Sequence, residues 1–241
     1  MAFERMLRYC ALLEQNNQRS WFHDRENYQL YTEAKQDFID LVEALKMRIA
    51  GCCSPDLAER LIFAEAGKLL YRIPRDMRVN KGKPPYNPRW SAWLAADRHS
   101  LTPVGYYIHL QPGDRSHFGT GAWCEDSETL LCIRTYISEN AQRFFDALDR
   151  CGYPLSGEKL KNMPRGFDPA DPAGEYLKFK DWFVARPFPD AELDGLDAFL
   201  DAVAETVEGM EPLRMFFSDA FSAARERPFA PGLWELEGRG F

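Results

Sequence analysis

Arg72, Arg75, Arg78 and Lys81 recur at a strict spacing of three, and Lys83 and Arg89 follow. Asp76 is the only acid in the run. Between Lys68 and Arg89 seven cations face that one acid, a local charge of +6 in a chain whose net charge is −7. Two cations about 4 Å apart repel by about 1 kcal/mol in water and by more beside protein. Something negative must therefore hold the row together. Arginine forks grip carboxylate or phosphate with paired hydrogen bonds, and lysines add point charge. On a three-residue repeat, polyproline II or 3-10, the cations form a single row, and Pro74, Pro84, Pro85 and Pro88 favour that conformation.

Three readings of this basic loop stay open. In the first, a small anionic ligand bearing phosphate or carboxylate is clamped by Arg72, Arg75, Arg78, Lys81 and Lys83. Asp76 then orients the arginines, Tyr86 donates a hydrogen bond or stacks, and Lys161 and Arg165 close the rim. If chemistry occurs there, the cations stabilise developing negative charge; no general base is evident. In the second, the loop is a structural ion-pair network. The protein is then a non-catalytic interaction module with Trp90, Trp93 and Phe229 as exposed contact residues. In the third, Tyr86, Trp90 and Trp93 stack the bases of single-stranded nucleic acid; the bulk charge of −7 speaks against it.

The other chemical residues form weaker patterns. His109 and His117 flank Pro112-Gly113. A two-residue turn there sets 109 opposite 116 and 108 opposite 117, so the two imidazoles point to opposite faces. A one-residue bulge reverses this. The default is therefore two separate histidines, with no shared metal. Gly119 and Gly121 lack the rest of a phosphate-loop motif and read as a close backbone approach. Asn17 and Arg19 in "NNQRSWF" belong to a helix-linking turn or reach the same anion. Glu125, Asp126 and Glu128 suit a helix N-terminus better than a carboxylate dyad. Six cysteines without C-x-x-C spacing read as free thiols in a reducing cytoplasm. No cofactor motif, metal-ligand spacing, signal peptide or membrane-length apolar run is present.

The elements that must position these residues follow from periodicity. The chain has 241 residues, 45% apolar, 28% charged and 14% aromatic. That supports one α+β domain over residues 1–241, with helices packed on a mainly antiparallel sheet and 224–241 as a peripheral tail. Helices are predicted over 2–15 and 28–49, the latter ended by Gly51. Residues 57–73 are ambiguous. A hairpin is predicted over 104–123 and a strand over 182–188. A helix over 127–149 breaks near Ser138, which caps its second part. Asp171 caps a short helix that starts at Pro172. Residues 190–223 are helical, interrupted near Pro212.

Several stretches together resemble a known family: "NNQRSWF", "YRIPRDMRVNKGKPPYN", "GYYIHL", "HFGTGAW", "ETLLCIRTYI" and "GEKLKNMPRGFDPADP…LKFKDWF". In this order they look like the bacterial and fungal family filed as domain of unknown function 2461, over roughly residues 5–215. The most specific element is R-x-x-R-D-x-R followed by K-x-K-x-P-Y, carried by Arg72, Arg75, Asp76, Arg78, Lys81, Lys83, Pro85 and Tyr86. The family has no established activity, so the resemblance implies a fold class and a site at this loop, not a reaction. Two positions depart from its pattern. The family's usual histidine before the proline is absent from Ala170-Asp171-Pro172, and Thr120 stands where a further glycine is usual.

Overall fold

Phe38, Leu41, Val42, Leu45 and Ile49 repeat at three and four along helix α3 (Arg25–Ala50), and all five are buried. The Asp24 carboxylate starts this helix by accepting the amides of Glu26 and Asn27. The structure is a computed structural model and describes residues 2–95, 104–124 and 126–226. The other helices are α1 (Ala2–Gln15), α2 (Arg19–Phe22), α4 (Pro55–Phe63), α5 (Ala66–Leu69), α6 (Ser127–Glu139), α7 (Ala141–Cys151), α8 (Gly174–Leu177) and α9 (Leu196–Glu226); α1, α2, α4, α5 and α9 pack on α3, α6 and α7 on α9, and α8 on α6. They accompany one antiparallel sheet of β1 (Trp90–Leu94), β2 (Tyr106–Leu110), β3 (Ser116–Ala122) and β4 (Trp182–Phe188), in that spatial order. The fold is α+β, as the periodicity predicts. The ambiguous stretch before the basic loop resolves into α4 and α5, and β1 was not read from the sequence.

Strand alternation gives the sheet two different faces. Tyr106, Ile108, Phe118, Trp182, Val184 and Phe188 are buried on one. That face meets the helices. The Tyr106 hydroxyl donates to Glu211 of α9 at 2.6 Å, Arg186 donates to Ala202 O and Thr206 of α9, and Trp90 Nε1 donates to Met6 O of α1. The other face carries Ser91, Trp93, Tyr107, His109, His117 and Phe183 in register.

Four local expectations need correction. Helix α9 runs unbroken through Pro212. A proline inside a helix costs about 3 kcal/mol, whereas fully burying one large apolar side chain contributes about 1.5–3 kcal/mol. Met210, Leu213, Phe216 and Phe217 flank it with no exposed surface, and together they outweigh the break. The second half of the broken helix is capped by Asn140 rather than Ser138, whose hydroxyl instead donates to the Asp171 carboxylate. Asp171 accepts the amides of Ala173 and Gly174 and so shapes the turn ahead of α8, whose N-cap is Ala173. Finally, His109 pairs directly with His117, so the register of the hairpin is shifted by one residue. The cause is a wider turn. Gly113 and Asp114 both take positive φ, +80° and +59°. The Asp190 carboxylate accepts both their amides, while Asp114 Oδ1 accepts the amide of Asp190.

Candidate ligand-binding site

The basic loop is an irregular antiparallel ribbon laid along the outer edge of β1. Leu70 pairs with Ala92 and Pro74 with Tyr86. The amides of Tyr71, Arg75 and Asn87 donate to Ser91 O, Pro85 O and Ile73 O at 2.8, 2.9 and 2.8 Å. Residues 76–84 form its tip, turned by Gly82 at φ +80°. Polyproline II offers its amides no internal partners, whereas this pairing satisfies them. The predicted single row of cations is accordingly not adopted.

Asn17 fastens the ribbon to the helices. Its Oδ1 accepts the Tyr86 amide and its Nδ2 donates to Tyr86 O, each at 3.0 Å, as a neighbouring strand would. Asn17 thus holds the loop rather than an anion. The Tyr86 ring lies buried, stacked on Phe22 with centroids 4.2 Å apart. Tyr86, Trp90 and Trp93 are only 4%, 3% and 7% exposed, so they form neither a base-stacking platform nor an exposed protein-contact patch. Phe229 lies outside the described residues.

Within the ribbon the Arg75 guanidinium donates to Pro84 O at 2.7 Å. Burial and the neighbouring Arg89 both disfavour its charge. Asp76 receives Arg78 through two forked contacts, of 2.7 and 3.0 Å, and the hydrogen bonds from Arg78 hold its carboxyl below the usual range. Among the described residues this is the only ion pair of segment 72–86, and both partners are exposed. Main-chain pairing and Asn17, not an ion-pair network, hold the loop. Arg72, Lys81 and Lys83 are exposed and make no ion pair among the described residues.

Beside the ribbon is a cleft of about 540 Å³ between α3, α5 and the strand leading into the loop. Lys35, Lys68 and Arg72 line it together with Tyr31, Tyr71 and Trp90; among the described residues no carboxylate does. Tyr31 and Trp90 stack with centroids 5.9 Å apart and an interplanar angle of 10°. Beneath them is Tyr9, wholly buried, whose hydroxyl has no hydrogen-bond partner among the described residues. Lys68 pairs with the exposed Glu65 at 2.8 Å. Arg72 is thus the one predicted clamp residue that lines this cleft. Lys35 was missed, although its place four residues after Tyr31 puts the two on one helical face.

Lys161 and Arg165 do not close the same rim. Their loop begins with Ser156, which pairs with Phe183 on the outer edge of β4. The ribbon pairs with the outer edge of β1. Five strand spacings separate the two, roughly 24 Å. Lys161 lines a separate cleft of about 1090 Å³ with Lys159, Asp171 and Glu175. Arg165 is exposed.

His109 and His117 stack with ring centroids 4.4 Å apart on the sheet face away from the helices. Burial pushes His109 down to about 4; Gln111 opposes this, and His117, Arg89 and Arg115 add to it. Burial also lowers His117, against the hydrogen bond that its Nδ1 donates to the Arg115 carbonyl, with Arg89 adding to the depression. Nearby, Gly119 and Gly121 are required by close approach. A side-chain carbon at either would sit 2.2 or 2.0 Å from a main-chain oxygen of β4. Among the described residues no group of three or more His, Cys, Asp or Glu is gathered for a metal, and the six cysteines are free. No described helix is long and apolar enough to cross a membrane.

Comparison with known proteins finds no match among curated proteins or solved structures. A family model described as "Conserved hypothetical protein (DUF2461)" matches residues 5–216. That span contains the ribbon, the cleft, the histidine pair and the whole sheet. The chain belongs to the DUF2461 family.

Proposed function

We propose that this protein binds a small ligand bearing phosphate or carboxylate in the cleft between α3, α5 and the basic ribbon. One observation carries the reading: three cations, Lys35, Lys68 and Arg72, line an aromatic-floored cleft to which no carboxylate of the described residues contributes. Its volume suits a small organic molecule. The Arg72 fork takes two anion oxygens, the lysines supply point charge, and Tyr31, Tyr71 and Trp90 provide apolar surface. Lys81 and Lys83, exposed at the ribbon tip, add long-range attraction for the anion.

The test is a thermal-shift titration with a panel of phosphates, nucleotides and carboxylates, run on the wild type and on Lys35→Ala/Arg72→Ala. A ligand at 100 times its Kd stabilises by about 2.7 kcal/mol, which in a chain of this size is several degrees. The expected result is that one anion class shifts the wild type and not the double variant. No shift from any anion, or equal shifts in both proteins, overturns the reading.

A further inference from the structure

The histidine pair is a different cluster from the cleft, and its hydrogen bonds fix both tautomers. A ring nitrogen beside a carbonyl oxygen must carry the proton. His117 Nδ1 lies 3.1 Å from Arg115 O and donates to it, which leaves the lone pair on Nε2. His109 Nε2 lies 2.9 Å from Gln111 Oε1 and donates, so its Nδ1 accepts the Tyr107 hydroxyl at 3.3 Å. Every hydrogen-bonding atom of His109 is thereby used. His117 Nε2 has no partner among the described residues, and the ring is only half-buried.

The surroundings restrict what that lone pair can meet. Among the described residues, the charged side chains that act on the two imidazoles are Arg89 and Arg115, and no acid is among them. Glu14 already pairs with Arg115 at 2.6 Å, whereas Arg89 makes no ion pair among the described residues. Aromatic rings line the other side: Tyr107 and Phe183 lie 5.9 and 6.2 Å from His117, and Trp123 lies 5.2 Å from Phe183. Trp123, which also meets the buried Trp93 edge-on at 6.2 Å, is 44% exposed, the open member of this aromatic row.

We propose that this sheet face is a second binding site, for an aromatic phosphate monoester, with the phosphate between His117 Nε2 and Arg89 and the ring against Phe183 and Trp123. The monoanionic phosphate matches the pair of protein groups. Its P–O–H donates to the His117 lone pair and its remaining oxygens accept from the Arg89 guanidinium. A fully ionised oxyanion would set acceptor against acceptor at Nε2. A neutral alcohol would leave Arg89 unanswered. The ring takes the edge of an aromatic row that the protein leaves partly open. His109, locked by Gln111 and Tyr107, is a positioning residue that holds the His117 ring by stacking. The proposal does not depend on the cleft reading.

The experiment follows the His117 ring nitrogens by long-range proton–nitrogen correlation, and tryptophan fluorescence, in the full chain. Phenyl phosphate, inorganic phosphate and phenol are added at equal millimolar concentrations. Phenyl phosphate is expected to move the Nε2 resonance and quench tryptophan saturably, well beyond the other two. His117→Phe keeps a stacked ring and removes the lone pair; with Arg89→Gln it is expected to weaken binding by about tenfold or more. Unchanged melting of both variants checks folding, and the wild-type resonance stands alone if either fails to fold. Absence of a His117 response to phenyl phosphate overturns the proposal. An equal response to inorganic phosphate overturns the aromatic class, and an equal response to phenol overturns the phosphate. A response lost in Lys35→Ala/Arg72→Ala belongs to the cleft and overturns it too.

Discussion

Glu211 and Arg214 show what a paired charge does in this fold. Arg214 is 3% exposed, and its guanidinium grips Glu211 at 2.6 and 2.7 Å. Tyr106 donates to the same carboxylate, and so does the Ser54 amide at the start of α4. Burial pushes the Glu211 carboxyl up, but these four hydrogen bonds outweigh it and hold the group below the usual range. Removing one partner strands the other. Arg214→Met is expected to destabilise by about 3–5 kcal/mol, and adding Glu211→Leu to recover a good part of that loss. Urea unfolding of the single and double variants reads it, and a single variant close to wild type would refute the coupling. The histidines give a pH test of opposite kind. His109 is depressed to about 4 by burial. Below the unfolded value of about 6.5 the unfolded chain binds a proton that the folded chain refuses. Stability is therefore full above that value and falls as pH drops toward 4, by roughly 3 kcal/mol at most. His109→Gln should flatten the slope between pH 6.5 and 4, and an unchanged slope would show that other groups produce it. The sequence could not reveal this pair, because its register turns on Asp114 accepting a positive φ that Asp190 rewards from 76 residues away.

At the scale of elements, local signals and distant partners divide the credit. The apolar stripe of α3 and the Asp24 cap lie within one stretch of chain, and periodicity found the helix. The strand Trp182–Phe188 was legible for the same reason. The basic ribbon was not. Its charge pattern was evident, but its shape depends on β1 and on Asn17, which lies 69 residues from Tyr86. Charge spacing says which side chains exist; main-chain pairing decides where they point. Asn17 carries two of those pairings at once. Asn17→Ala leaves the buried Tyr86 amide and carbonyl without it, at roughly 1–3 kcal/mol for each group. The loss should concentrate in the ribbon. Hydrogen exchange is expected to accelerate at Tyr86, Asn87 and Arg75, while the central strands β2 and β3 keep their protection. Uniform acceleration across the sheet would instead mean that Asn17 supports the whole fold.

For the whole molecule, the four-stranded sheet separates what a linear reading joins. Arg72 and Lys161 look like two halves of one clamp when only charge is considered. The ribbon extends the sheet beyond β1 and the Lys161 loop extends it beyond β4. A small ligand spans about 10 Å or less, whereas the two edges are roughly 24 Å apart by strand spacing. Two exposed cations that far apart are also screened from one another, since the Debye length at physiological salt is about 8 Å. The consequence is sharp for the cleft reading. Lys161→Ala and Arg165→Ala should leave the affinity of the cleft's anion within about twofold. Lys35→Ala and Arg72→Ala should each weaken it by about tenfold, the loss of one charge-assisted contact. Calorimetric titration of the four single variants makes the comparison at one salt concentration. A strong effect of Lys161→Ala would mean that the ligand bridges both edges of the sheet, and the cleft beside α3 would then be the wrong site. Added salt separates the roles further: it should weaken the long-range attraction supplied by Lys81 and Lys83 at the ribbon tip, while the Arg72 fork, in direct contact with the bound anion, keeps more of its contribution.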